Sequence, residues 1–133
     1  MKSFFLTTEQ ELIKLIPLIE QFGKDTQIAH SQNLVEVANS LQGTAYLTVI
    51  YGTEECYKSY ICGYYMNEIN FMISQLFSDH LYSTLQPVEF LENHLKKESI
   101  KNVFAHIKEH PEGFEKFGYK VSHYLLLKKL EGQ

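Results

Sequence analysis

The sequence predicts an α/β (α+β) domain spanning residues 1–133: a single mixed, mostly antiparallel sheet flanked by helices, in the order α-α-β-β-β-α-β-α-β. Three observations carry this reading. Apolar residues recur at helical period in the first forty positions and again after Pro87, runs rich in β-branched and aromatic residues fill 44–77, and no linker or repeat divides the chain.

The first helix is announced by Thr8 and Glu11, which have capping-box spacing, ahead of Leu12, Ile13, Leu15, Ile16, Leu18, Ile19 and Phe22 on one broad face. Pro17 inside that pattern predicts a kink or a division into two short helices, and Gly23 predicts its end. A second helix is expected over 31–41, with Leu34, Val35, Ala38 and Leu41 on its apolar side and Gly43 as its stop. Strands over 44–51, 57–66 and 69–77 read as an antiparallel meander with turns at 52–55 and 67–68. In the third of these, Ile69, Phe71, Ile73 and Phe77 fall on one face together with Gln75.

Pro87 suits the first position of a helix whose apolar residues are Val88, Leu91 and Leu95 and whose C-terminal end carries Lys96 and Lys97. A strand over 100–107, a short helix over 111–117 ended by Gly118, and one long strand over 121–130 complete the order. Residues 69–77 and 100–107 are expected to be parallel neighbours joined by the Pro87 helix.

Composition narrows the function. A net charge of −4 provides no general attraction for nucleic acid or an anionic membrane. All 12 basic residues are Lys, so bidentate guanidinium clamps are absent and an anion must be held by Lys, backbone N–H groups or a helix N-terminus. Cys56 and Cys62 match neither a disulfide framework nor a metal knuckle, and the six histidines are scattered, so no metal site is expected. The N-terminus lacks a signal-peptide core and no apolar run reaches bilayer length, which points to a cytoplasmic protein.

The segment Phe114-Glu115-Lys116-Phe117-Gly118-Tyr119-Lys120, followed by the strand 121–130, resembles the C-terminal motif of the GNAT superfamily of N-acyltransferases. The element order and the Leu-Ile-Pro-Leu-Ile centre of the first helix are similar to that family as well. The resemblance implies a site where the fourth strand, here 69–77, splays from the fifth, here 100–107, with acetyl-CoA in the gap. It implies pantetheine contacts along Gln75, Leu76 and Phe77, and a pyrophosphate resting on the segment Tyr82, Ser83, Thr84, Leu85 and Gln86. Two departures stand out: residues 77–86 contain no glycine, where the family pattern is glycine-rich, and Phe114 occupies the place of the family's frequent tyrosine acid.

Glu68, at the hairpin before the fourth strand, and His106, late on the fifth, are the candidate bases. The function implied is acyl transfer from acyl-CoA to a primary amine on a small molecule or peptide. The alternative is a non-catalytic module that keeps the fold and has lost the acyl-CoA chemistry. Tyr57, Tyr60, Tyr64 and Tyr65 make an aromatic strand that could line an acceptor pocket or, with the long C-terminal strand, give a homodimer edge.

Overall fold

The computed structural model describes residues 1–26, 30–43, 45–78, 82–106, 118–122 and 125–130. The chain opens with strand β1 (Lys2–Phe5), then helices α1 (Glu9–Thr26) and α2 (His30–Asn39), the second extended by a 3-10 turn (Ser40–Gln42). Strands β2 (Tyr46–Gly52), β3 (Tyr57–Tyr65) and β4 (Asn70–Ser78) follow, then helix α3 (Tyr82–Lys97) and strands β5 (Asn102–His106), β6 (Lys120–Ser122) and β7 (Leu125–Lys129). The strands form one sheet in the order β1-β2-β3-β4-β5-β7-β6. Every neighbouring pair is antiparallel except β4 and β5, which run parallel as expected for strands joined by α3.

Two apolar clusters sandwich the sheet. On one face Leu15, Ile19 and Phe22 of α1 and Val37 of α2 pack on Ile50, Tyr60 and Cys62; on the other, Val88, Leu91 and Leu95 of α3 pack on Val49, Ile61, Phe71, Ile73 and Val103. No described helix is long and apolar enough to cross a membrane.

The capping box forms: Thr8 Oγ1 accepts from Glu11 N at 3.2 Å, and Glu11 Oε1 accepts from Thr8 N at 3.0 Å. Pro17 neither breaks nor divides the helix behind it. It sits on the exposed side of α1, while Leu15, Ile19 and Phe22 are buried on the sheet. Fully burying three large apolar side chains, at roughly 1.5–3 kcal/mol each, outweighs the roughly 3 kcal/mol that an interior proline costs. Gly23 is likewise inside the helix and buried, and α1 ends at Thr26, whose hydroxyl donates to the Phe22 carbonyl at 2.7 Å.

Other expectations are corrected. A four-residue edge strand, β1, precedes the first helix and pairs with β2, a pairing too short to leave a periodic signature. The buried face of α2 carries Asn33 and Val37, whereas Val35 is 59% exposed. Helix α3 begins five residues before Pro87, at Tyr82. The stretch expected as one strand over 121–130 is two, β6 and β7, paired antiparallel. Strand β3 is interior, so its tyrosines form no sheet edge. The short helix expected over 111–117 lies outside the described residues.

Candidate functional site

The site is set by a fault in the sheet. Strand β5 follows β4 through the register pairs Asn70↔Asn102 to Ile73↔Ala105 and then stops pairing with it, while β4 continues to Ser78. At the same level β4 bulges: Cys62 faces Gln75 and Gly63 faces Ile73, leaving Ser74 as the extra residue. Gly63 permits this approach, because a Cβ there would overlap the Met72 carbonyl oxygen and the Phe71 ring. Beyond the bulge, residues 75–78 pair with β3 but have no β5 partner among the described residues, and this stretch of the β4 edge is the candidate gap.

The bulge also exchanges the faces of β4. Phe71 and Ile73 belong to the cluster under α3, but Gln75 lies on the α1/α2 side and Phe77 packs into the cluster there. The single face expected for Phe71, Ile73, Gln75 and Phe77 is therefore broken at Ser74. Leu76 takes the α3 side, where it packs against that cluster.

Gln75 is 1% exposed and its side chain is engaged on three sides. Tyr60 donates its hydroxyl to Oε1 at 2.8 Å, and Nε2 donates to the Asn33 carbonyl at 3.1 Å and to Glu36 Oε1 at 2.9 Å. This network bolts α2 to β4 at the bulge and leaves the Gln75 backbone, rather than its amide, facing the gap's length. Around it Ser74 Oγ donates to the Cys62 carbonyl at 3.3 Å, and Ser40 and Thr48 share a hydrogen bond of 2.7 Å. Burial pushes the Tyr60 phenol above its ordinary range and the Cys62 thiol up to about 12, so both are neutral near pH 7.

Helix α3 starts at Tyr82, and its free N–H groups begin there. Tyr82, Ser83, Thr84, Leu85 and Gln86 thus form the opening of the helix, and Leu85 and Gln86 are exposed. A helix N-terminus directly after a splayed strand is a place for an anion, since unpaired N–H groups and the helix dipole act together.

The two candidate bases are not brought together. Glu68 is exposed in the turn before β4, where the Asn67 carboxamide accepts from Ile69 N and Asn70 N. It lies at the opposite end of β4 from the gap, six residues from Ser74, or about 20 Å along a strand. His106 ends β5 and pairs with Leu125 on its other side; one step beyond Ile73↔Ala105 sets it level with Ser74, at the mouth of the gap. Phe114 lies outside the described residues. Sequence reading missed Asn33 and Glu36, one turn apart on α2. The signal that could have found them is a polar pair on the helical stripe of Val37. No group of three or more His, Cys, Asp or Glu among the described residues could hold a metal ion.

Comparison with known proteins places this geometry. No family model matches the chain, and neither does any curated protein. Solved structures do: aminoglycoside 6'-acetyltransferase type Ii superposes with a TM-score of 0.82 at 11% identity, covering 100% of this chain and 99% of that one. An aminoglycoside 6'-N-acetyltransferase from Enterococcus faecium gives 0.78 at 12% identity, over 100% and 99% of the two chains. The PaiA N-acetyltransferase from Thermoplasma acidophilum, in complex with coenzyme A, gives 0.73 at 15% identity, over 97% and 99%. The fold is that of the GNAT N-acyltransferases, along the whole length of the chain.

Proposed function

We propose that this protein transfers an acetyl or other acyl group from acyl-CoA to a primary amine. The observation that carries the reading is the succession of three features along the chain: the end of β4–β5 pairing after Ile73, the bulge at Ser74 beside it, and the helix start at Tyr82, eight residues further on. Two parts of the cofactor have candidate partners on this chain. Backbone of Gln75, Leu76 and Phe77 would take the amide-bearing pantetheine arm as a strand takes a neighbour, and the N–H groups opening α3 over Tyr82–Gln86 would take the pyrophosphate.

When bound, acyl-CoA supplies an activated thioester. The amine nitrogen bonds to its carbonyl carbon, the C–S bond breaks, and the amine's proton ends on the thiolate or solvent. Backbone N–H groups on the free edge of β4 polarise the carbonyl, and the rigid bulge holds them in place during the reaction. Water or His106, level with Ser74, is the proposed group that first takes the proton and passes it on. Glu68, at the far end of β4, would serve only an acceptor long enough to span the strand. Pairing of two copies through a sheet edge would have to use β1 or β6, the edges among the described residues.

The test is thermal unfolding with acetyl-CoA and with free CoA, followed by a thiol-release assay against a panel of amines. Saturable stabilisation is expected, reaching about 2.7 kcal/mol at a hundred times Kd. Stabilisation by CoA without thiol release from any amine would support the binding-module alternative. No stabilisation at millimolar ligand would end the acyl-transfer reading.

A further inference from the structure

Helix α2 covers the same face of the sheet toward which Gln75 points, and it brings one carboxylate there. Glu36 is half-buried, and its Oε1 accepts from Gln75 Nε2 at 2.9 Å, which sets it beside the bulge. Its other oxygen has no hydrogen-bond partner among the described residues. The strands beneath it, β2, β3 and β4, contain no Asp or Glu, and Glu36 is the single acidic residue of α2; α1, which also packs on α2, carries Glu9, Glu11, Glu20 and Asp25. Next to it stands the half-buried phenol of Tyr46 of β2, which in turn meets the half-buried Tyr64 of β3, with ring centroids 5.5 Å apart and planes tilted by 47°. Burial, with the neighbouring Glu36 carboxylate, Cys62 and Tyr64, pushes the Tyr46 phenol above its ordinary value, so the ring stays neutral and presents a π face. Below this pair lies Met72, opposite Tyr64 in the β3–β4 register.

We infer that Glu36, Tyr46 and Tyr64 form the acceptor end of the site and select an amine bearing one positive charge on an aromatic or apolar body. As an acceptor site it rests on the acyl-transfer reading above; as an amine-binding site it can be tested without it. The charge count decides the class. A polycation gains affinity by meeting several carboxylates, and among the described residues of α2, β2, β3 and β4 there is one. An ammonium group paired with Glu36 and lying against the tyrosine rings gains both a charge-assisted hydrogen bond and a cation–π contact. A flat apolar body then covers ring surface that a sugar or polyamine would leave poorly matched. Gln75 is the positioning residue: by holding Oε1 it fixes which carboxylate oxygen is free.

The experiment is calorimetric titration of the full chain with tyramine, with its neutral counterpart 4-ethylphenol, and with spermine, on the unmodified protein, Glu36→Gln and Tyr46→Leu. Glu36→Gln keeps the acceptor oxygen for Gln75 and should fold normally. It is expected to weaken tyramine about tenfold to a hundredfold, the value of a hydrogen bond to a charged group, and to leave 4-ethylphenol unchanged. Tyr46→Leu should weaken both aromatic ligands. Spermine should bind less tightly than tyramine. The inference fails if tyramine binds Glu36→Gln as well as it binds the unmodified protein, if spermine is preferred, or if tyramine does not bind at tens of millimolar. Tyramine binding that needs Glu36, in a protein that acetyl-CoA does not stabilise, would sink acyl transfer and leave the amine site standing.

Discussion

Gln75 stands in the sequence as a polar residue among apolar neighbours, a pattern that fits either a cleft-facing amide or a buried one. The structure resolves the ambiguity through its partners, since the Tyr60 hydroxyl, the Asn33 carbonyl and Glu36 use both ends of the amide. Gln75→Leu should therefore destabilise the fold by about 2–3 kcal/mol, because it strands the Tyr60 donor and the Asn33 acceptor in a dry interior. Gln75→Glu should cost more, as it sets a second carboxylate against Glu36 and a carbonyl. Urea unfolding of both variants checks the order, and a Gln75→Leu protein as stable as the parent would contradict it. A second consequence concerns alkali. Burial raises the Tyr119 phenol well above its ordinary 10.0, helped by the Glu92 carboxylate that it donates to at 3.1 Å, and burial raises Tyr60, Tyr57 and Tyr65 as well. Groups that ionise more easily when unfolded stabilise the fold below pH 10 and withdraw that stability above it. Unfolding free energy should thus fall steeply between about pH 10 and 11, and less steeply in Tyr119→Phe. A profile that is flat across that window would refute the assignment.

At the scale of elements, the bulge accounts for most of what the site does. It turns Gln75 and Phe77 away from Ile73's side of the sheet and coincides with the loss of β5 pairing. Gly63→Ala is expected to destabilise the protein by about 1–3 kcal/mol, since the added methyl meets backbone that cannot move aside cheaply, and to reduce the acetyl-CoA stabilisation in the same variant. An unchanged melting curve and unchanged ligand response would show that the bulge tolerates a side chain. The same feature explains how far the sequence was legible. Long periodic segments, the meander and the Thr8–Glu11 cap were readable because each rests on local spacing, and the parallel pairing of β4 with β5 because a strand-helix-strand order constrains its own connection. The face of Gln75, the unbroken α1 through Pro17 and the early start of α3 were not, because each is decided by packing between distant segments. Glu36 escaped for a related reason: a bond to Gln75, 39 positions away, leaves no mark in a local pattern.

For the whole molecule, the C-terminal hairpin is tied back to α3. Glu92, 7% exposed, accepts from Lys128 at 2.8 Å and from Tyr119, while Gly118, with φ of 89°, lets the chain turn Tyr119 into the core. That is the structural meaning of the Gly-Tyr pair in the motif that resembles GNAT proteins, and it fixes β7 beside β5 on the far side of the gap. Without arginine anywhere in the chain and without glycine between 77 and 86, the pyrophosphate end is expected to bind loosely, with CoA affinity weaker than micromolar. Binding of acyl-CoA between β4 and β5 would be read out by amide hydrogen exchange with and without saturating acetyl-CoA. Slowed exchange confined to residues 75–78 and 82–86 is the predicted result. Stabilisation by acetyl-CoA with no protection in those two stretches, or with protection elsewhere on the sheet, would contradict it.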